Sequence, residues 1–106
     1  MAKYLFQASY TADGAKGLIK DGGSKRRQGA EAAIKSVGGK LEALYFGFGS
    51  NDVYAIVDFP DNVSAAAMSL ATAASGAIHG QMVVLLTPED LDQAVKKSVA
   101  YTPPGK

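Results

Sequence analysis

Histidine occurs once, at position 79, and cysteine not at all, so few side chains in this chain can move a proton or hold a metal. As a general base, His79 would need a reactant within hydrogen-bond reach and a group such as Asp58 or Tyr54 to set its tautomer. One imidazole per chain cannot build a histidine metal site, and no metal or cofactor is expected. The bland reading is a structural or interface histidine on a half-apolar strand. The lack of cysteine excludes disulfides, thiolate zinc sites, iron–sulfur clusters and a thiol nucleophile together.

A second candidate is Lys25-Arg26-Arg27, which follows Gly22-Gly23-Ser24 and falls in the first turn of a helix. Cations there oppose the helix dipole at about 0.3–1 kcal/mol each. Arg26 and Arg27 are therefore anion-binding candidates, with free amides nearby. The alternative is that these charges simply point into water, offset by Asp21 and Glu31. Other motifs fail. Gly47-Phe48-Gly49 precedes a strand where a dinucleotide fingerprint needs a helix, Gly17 to Lys25 lacks the end of a P-loop, and Ser64, Ser69 and Ser75 have no neighbouring His–carboxylate set.

These residues must be placed by a chain of 106 residues with formal net charge +1. That length suits one domain able to bury about 65% of its unfolded surface. The charge gives no case for nucleic acid or an anionic membrane. The N-terminus MAKYLFQASYT has no apolar core of about 7–15 residues, so it does not read as a signal peptide, and the expected compartment is the cytoplasm. No run of about 20 apolar residues supports a membrane span.

Residues 3 to 10 alternate as a strand, and the glycine-rich TADGAKGLIKDGG predicts a loop with at most a short helical turn. Ala30, Ala33, Ile34 and Val37 form a helix stripe within Ser24 to Val37, ended by Gly38-Gly39. Leu41 to Phe48 and Val53 to Phe59 predict an antiparallel hairpin around Gly49-Ser50-Asn51-Asp52, a turn whose Gly and Asn suit positive φ and whose Asp52 can serve the backbone. Asp61 or Asn62 caps a helix running to about Ser75, with Val63, Ala66, Ala67, Leu70, Ala73 and Ala74 turned to the sheet and Ser64, Ala65, Met68, Ser69 and Thr72 turned outward. Ile78 to Leu86 is the fourth strand, and Thr87-Pro88-Glu89-Asp90 starts a last helix, with Lys96 and Lys97 at its far end. The fold class is α+β, a ferredoxin-like β-α-β-β-α-β sandwich with an extra C-terminal helix. Residues 1–100 form the domain and 101–106 an extended tail.

Such a sandwich leaves one sheet face open. On it the alternation places Tyr54, Ile56 and Asp58 of the third strand, with His79, Gln81, Val83 and Leu85 of the fourth, which is too apolar for water. From Val63 to Pro88 there is no Lys, Arg, Asp or Glu, and depletion of charge marks interface cores. A homo-oligomer is expected, a dimer with sheets face to face or a higher assembly. Tyr54, Asp58, His79 and Gln81 are the candidates to line a small-molecule site at that face. The alternative is a non-enzymatic assembly or regulatory module in which face and helix serve only self-association.

TADGAKG, SKRRQGAEAAIKSVGGKLEALYFGFG, DVYAIVDFPDN and LLTPEDLD together resemble the GYD domain family over nearly the whole chain. The resemblance implies a branch of the dimeric α/β-barrel proteins, whose wider relatives include monooxygenases, isomerases and haem-binding proteins, and it implies no common activity. The family signature in many members reads Gly-x-Tyr-Asp. Here Asn51 stands in place of that tyrosine, so no role of the tyrosine carries over.

Overall fold

The computed structural model describes residues 2–106. Its elements are β1 (Ala2–Tyr10), α1 (Ala12–Asp21), α2 (Gly23–Ser36), β2 (Lys40–Phe46), β3 (Val53–Phe59), α3 (Asn62–Ala74), β4 (Ile78–Leu85) and α4 (Pro88–Val95). The four strands form one antiparallel sheet in the order β2-β3-β1-β4. The hairpin expected between residues 41 and 59 is present as β2 and β3.

Period-two alternation sets the faces of this sheet. Tyr4 and Ala8 of β1 and Val53, Ala55, Val57 and Phe59 of β3 are buried. Tyr4 and Phe59 meet edge to face, with ring centroids 5.4 Å apart, a favoured aromatic geometry. Register puts Ile78, Gly80, Met82 and Val84 on the same side, opposite Tyr10, Ala8, Phe6 and Tyr4. At Gly80 a Cβ would come within 2.5 Å of the Ala8 Cβ, so only glycine lets these strands pair there. The helices cover this side. α2 lies chiefly against β2, and α3 against β4 and more lightly against β3.

Three expectations are corrected. Residues 12–21 are a ten-residue helix, not a loop. Thr11 caps it by accepting from the Gly14 amide at 3.2 Å, and Asp13 and Lys20 suit its two ends. Glycine costs a helix only about 1 kcal/mol relative to alanine, and Gly14 is required for fit, since a Cβ there would lie 1.9 Å from the Ala77 carbonyl oxygen. The 49–52 turn contains no positive φ. Its shape is held instead by the Asp52 amide donating to Ala8 O at 2.8 Å and the Tyr10 amide donating to Asp52 Oδ2 at 2.9 Å.

The third correction is the setting of α3. Ala65 is buried and Met68, Ser69 and Thr72 are half-buried, whereas Val63 is 77% and Leu70 72% exposed. The face expected to lie outward is the one on the sheet. Asp61 caps α3 by accepting from the Ser64 amide at 2.8 Å, and the Tyr4 hydroxyl donates to Asn62 Oδ1. These anchors turn Asn62, Ala65, Met68 and Thr72 inward, and small Ala65 allows close approach.

Candidate functional site

The predicted site residues lie on the open face, where register orders them in rows across the sheet. Tyr45 of β2 stands opposite Tyr54, Tyr54 opposite Gln7, and Gln7 opposite Gln81. Tyr54 and Gln81 therefore flank a common neighbour, about 10 Å apart across two strand spacings. The Tyr54 ring lies over Gly47, where a Cβ would meet it at 3.5 Å. His79 stands one row further, beside Ser9. In the other direction comes an apolar row of Ala43, Ile56, Leu5 and Val83.

Asp58 is at the far end of the face. Its row partner on β1 is Lys3, whereas that of His79 is Ser9. Six residues of strand separate the two by about 20 Å. The structure does not bring His79 and Asp58 together, so Asp58 cannot set the His79 tautomer within one chain. Asp58 instead accepts from Lys3 Nζ at 3.1 Å, and Glu42 accepts from the same ammonium at 2.6 Å. The register shift between Leu41 and Ala43 supplies the extra residue, Glu42, that reaches Lys3. Donating hydrogen bonds to Glu42 and then to Asp58 raises the Lys3 pKa above its ordinary value.

The substantial cavity lies on the opposite side of the sheet. Its volume is about 480 Å³, within the usual range for small-molecule sites. Its floor includes Phe6, Leu44 and Ala55, and its helical walls include Leu18, Ala33 and Met68. None of Tyr54, Asp58, His79 and Gln81 lines it. Small residues keep it open: Gly17, Gly29, Ala30, Ala33 and Ala71 all border it.

Polar groups gather around this cleft. Asp13 and Asp21 border it from α1, Arg26 from α2, and Thr72 and Ser75 from α3. Of the two anion candidates, Arg27 points to Glu31 at 3.8 Å, while Arg26 borders the cleft and has no ion pair among the described residues. The Arg26 guanidinium lies along Gly29, 3.5 Å from where a Cβ would sit. Lys25 pairs with Asp21 at 3.5 Å, which offsets one cation at the start of α2. Asp13, Gly17 and Asp21 sit at i, i+4 and i+8, one helical face. The glycines at 14 and 17 mask that spacing in the sequence by favouring a loop.

The arrangement suits holding a molecule: apolar walls, one unpaired cation at the margin and a few hydroxyls. Among the described residues no group of three or more His, Cys, Asp or Glu could hold a metal ion. No helix among them is long and apolar enough to cross a membrane. The chain finds no match among curated proteins or among solved structures. A family model described as the GYD domain matches residues 4–95, nearly the whole chain, and the protein belongs to the GYD domain family.

Proposed function

We propose that this GYD domain protein is a homo-oligomeric small-molecule-binding domain whose open sheet face is the contact between subunits. The carrying observation is the apolar row Ala43, Ile56, Leu5 and Val83, which crosses all four strands and is half-buried to exposed, with no helix among the described residues packed over it. Strand order and crossovers fit a ferredoxin-like sandwich, and two such sheets face to face make a dimeric α/β barrel. In that dimer Tyr54, Gln81 and His79 border the subunit contact. The test is sedimentation of the wild-type chain against Val83→Asp. The wild type is expected above the 11.0 kDa of one chain and the variant at a lower mass than the wild type; equal masses count against the sheet contact.

The ligand position that the geometry favours is the helix-side cleft, not the sheet face. Its walls call for a mainly apolar molecule, and Arg26 at its margin favours one with an anionic end. Anilinonaphthalene sulfonate has that chemistry. It should brighten with the wild type, less with Arg26→Ala, and least with Ala33→Phe, which fills the cleft. Unchanged fluorescence in both variants, at unchanged denaturation midpoints, would favour the alternative reading of an assembly or regulatory module that holds no ligand.

A further inference from the structure

The chain exposes more surface than a compact protein of its mass. Its solvent-accessible surface is 7469 Å² for 11.0 kDa, whereas a compact monomer of that mass exposes about 5,600 Å². Its radius of gyration is 16.8 Å and its extents 55 × 32 × 22 Å, against about 13 Å for the radius of a compact domain of this length. The C-terminal arm is one source, because every residue from 86 to 106 is exposed.

The arm nevertheless begins with a well-made helix. The Thr87 hydroxyl accepts from the Asp90 amide at 3.0 Å, and the Asp90 carboxylate accepts from the Thr87 amide at 3.1 Å. Pro88 occupies the first turn. An eight-residue helix is marginal alone in water, and with none of its residues buried its apolar side has no partner within the described residues. Leu91 and Val95 stand one turn apart on one side, and Val99 and Tyr101 continue the exposed apolar series.

The outward face of α3 provides such a surface. Val63 and Leu70 project from it with Ala66 and Ala67 between them, and Ala73 and Ala74 lie beyond. The arm brings large side chains, and the alanines leave shallow gaps to receive them. The C-terminal end of the α3 dipole also lacks a cation of its own. α3 has no basic residue in its last turn and no acidic one in its first, while the arm carries Glu89 and Asp90 at the start of α4 and Lys96 and Lys97 just past its end. Laid parallel to α3 with Leu91 beside Leu70, the arm sets Lys96 and Lys97 at the C-terminal end of the α3 dipole.

We infer that the C-terminal arm, residues 88–106, of one copy lies along the Val63–Leu70 face of α3 in a second copy. The arm does not lie on its own α3, since Val63, Leu70 and every residue from 86 to 106 are exposed. Only Leu86 and Thr87 join β4 to α4. Thr87 is extended, at φ −74 and ψ 160, both as the N-cap and as the residue before a proline. The surface excess of about 1,900 Å² is more than the roughly 800 Å² that each partner gives to a standard interface.

The absence of cysteine makes a clean test possible. Single variants Leu70→Cys and Leu91→Cys, both at exposed positions, are mixed as full-length chains and oxidised. The expected product is a disulfide between position 70 of one copy and position 91 of another, in several-fold excess over 70–70 and 91–91 products. A statistical mixture of the three would overturn the inference. So would a chain carrying both Leu70→Cys and Leu91→Cys that closes the bond within itself. Val83 lies on the opposite face of the sheet, so its Asp variant reports on the sheet contact alone and the cross-link on the arm alone.

Discussion

The hydroxyl of Tyr4, on the central strand β1, donates to Asn62 Oδ1 in the first turn of α3. This bond joins sheet to helix at the point where the rotation of α3 is set, and that rotation decides which residues form core and which form surface. Tyr4 itself is buried against Phe59. Replacing it by Phe keeps the ring and removes the bond, at an expected loss of about 0.5–1.5 kcal/mol. Urea denaturation should show a lower midpoint at unchanged slope. An unchanged midpoint would mean that α3 is oriented by packing alone.

Two glycines of α1 should respond in opposite directions. A methyl on Gly14 would overlap the Ala77 carbonyl oxygen, so Gly14→Ala should destabilise by about 1–3 kcal/mol through forced displacement of backbone. Gly17 has nothing within 4 Å of the same position, so Gly17→Ala should stabilise by about 0.5–1 kcal/mol through helix propensity. Thermal denaturation of the pair checks this. Equal effects would contradict the close contact of α1 with the 76–77 segment.

Stability should fall at both ends of the pH scale. The Ser64 amide, helped by the Ser64 side chain, lowers the Asp61 pKa below its ordinary 3.8. The Asp61 contribution is therefore whole above that value and is lost as pH falls through the lower folded one. Lys3 is raised above 10.5 by Glu42 and Asp58, so its contribution is whole below 10.5 and is lost as pH rises through the folded value. Asp61→Asn keeps an N-cap that cannot titrate. Its denaturation midpoint should vary less with pH on the acid side than that of the wild type, and identical profiles would contradict the capping role.

What could be read from the sequence was what local chemistry writes. Asp61, Thr87, Pro88 and Asp90 announce helix starts by their own hydrogen bonds, and alternation along Val53–Phe59 announces which side is buried. What could not be read depends on distant groups. The glycines of α1 suggest a loop until Ala77 is seen against Gly14. The apolar stripe of α3 suggests an inner face because nothing local records the Tyr4–Asn62 bond. Asp58 looked available until the irregularity at Glu42 placed Lys3 between two carboxylates. The cleft arises from the spacing of elements and has no motif of its own.

Sedimentation equilibrium at micromolar concentration is the decisive measurement for the proposed contact of copies of the chain through the uncovered sheet face. With that contact in place the wild-type mass is at least twice the 11.0 kDa of one chain and falls with Val83→Asp. A single species at 11.0 kDa for the wild type would contradict it.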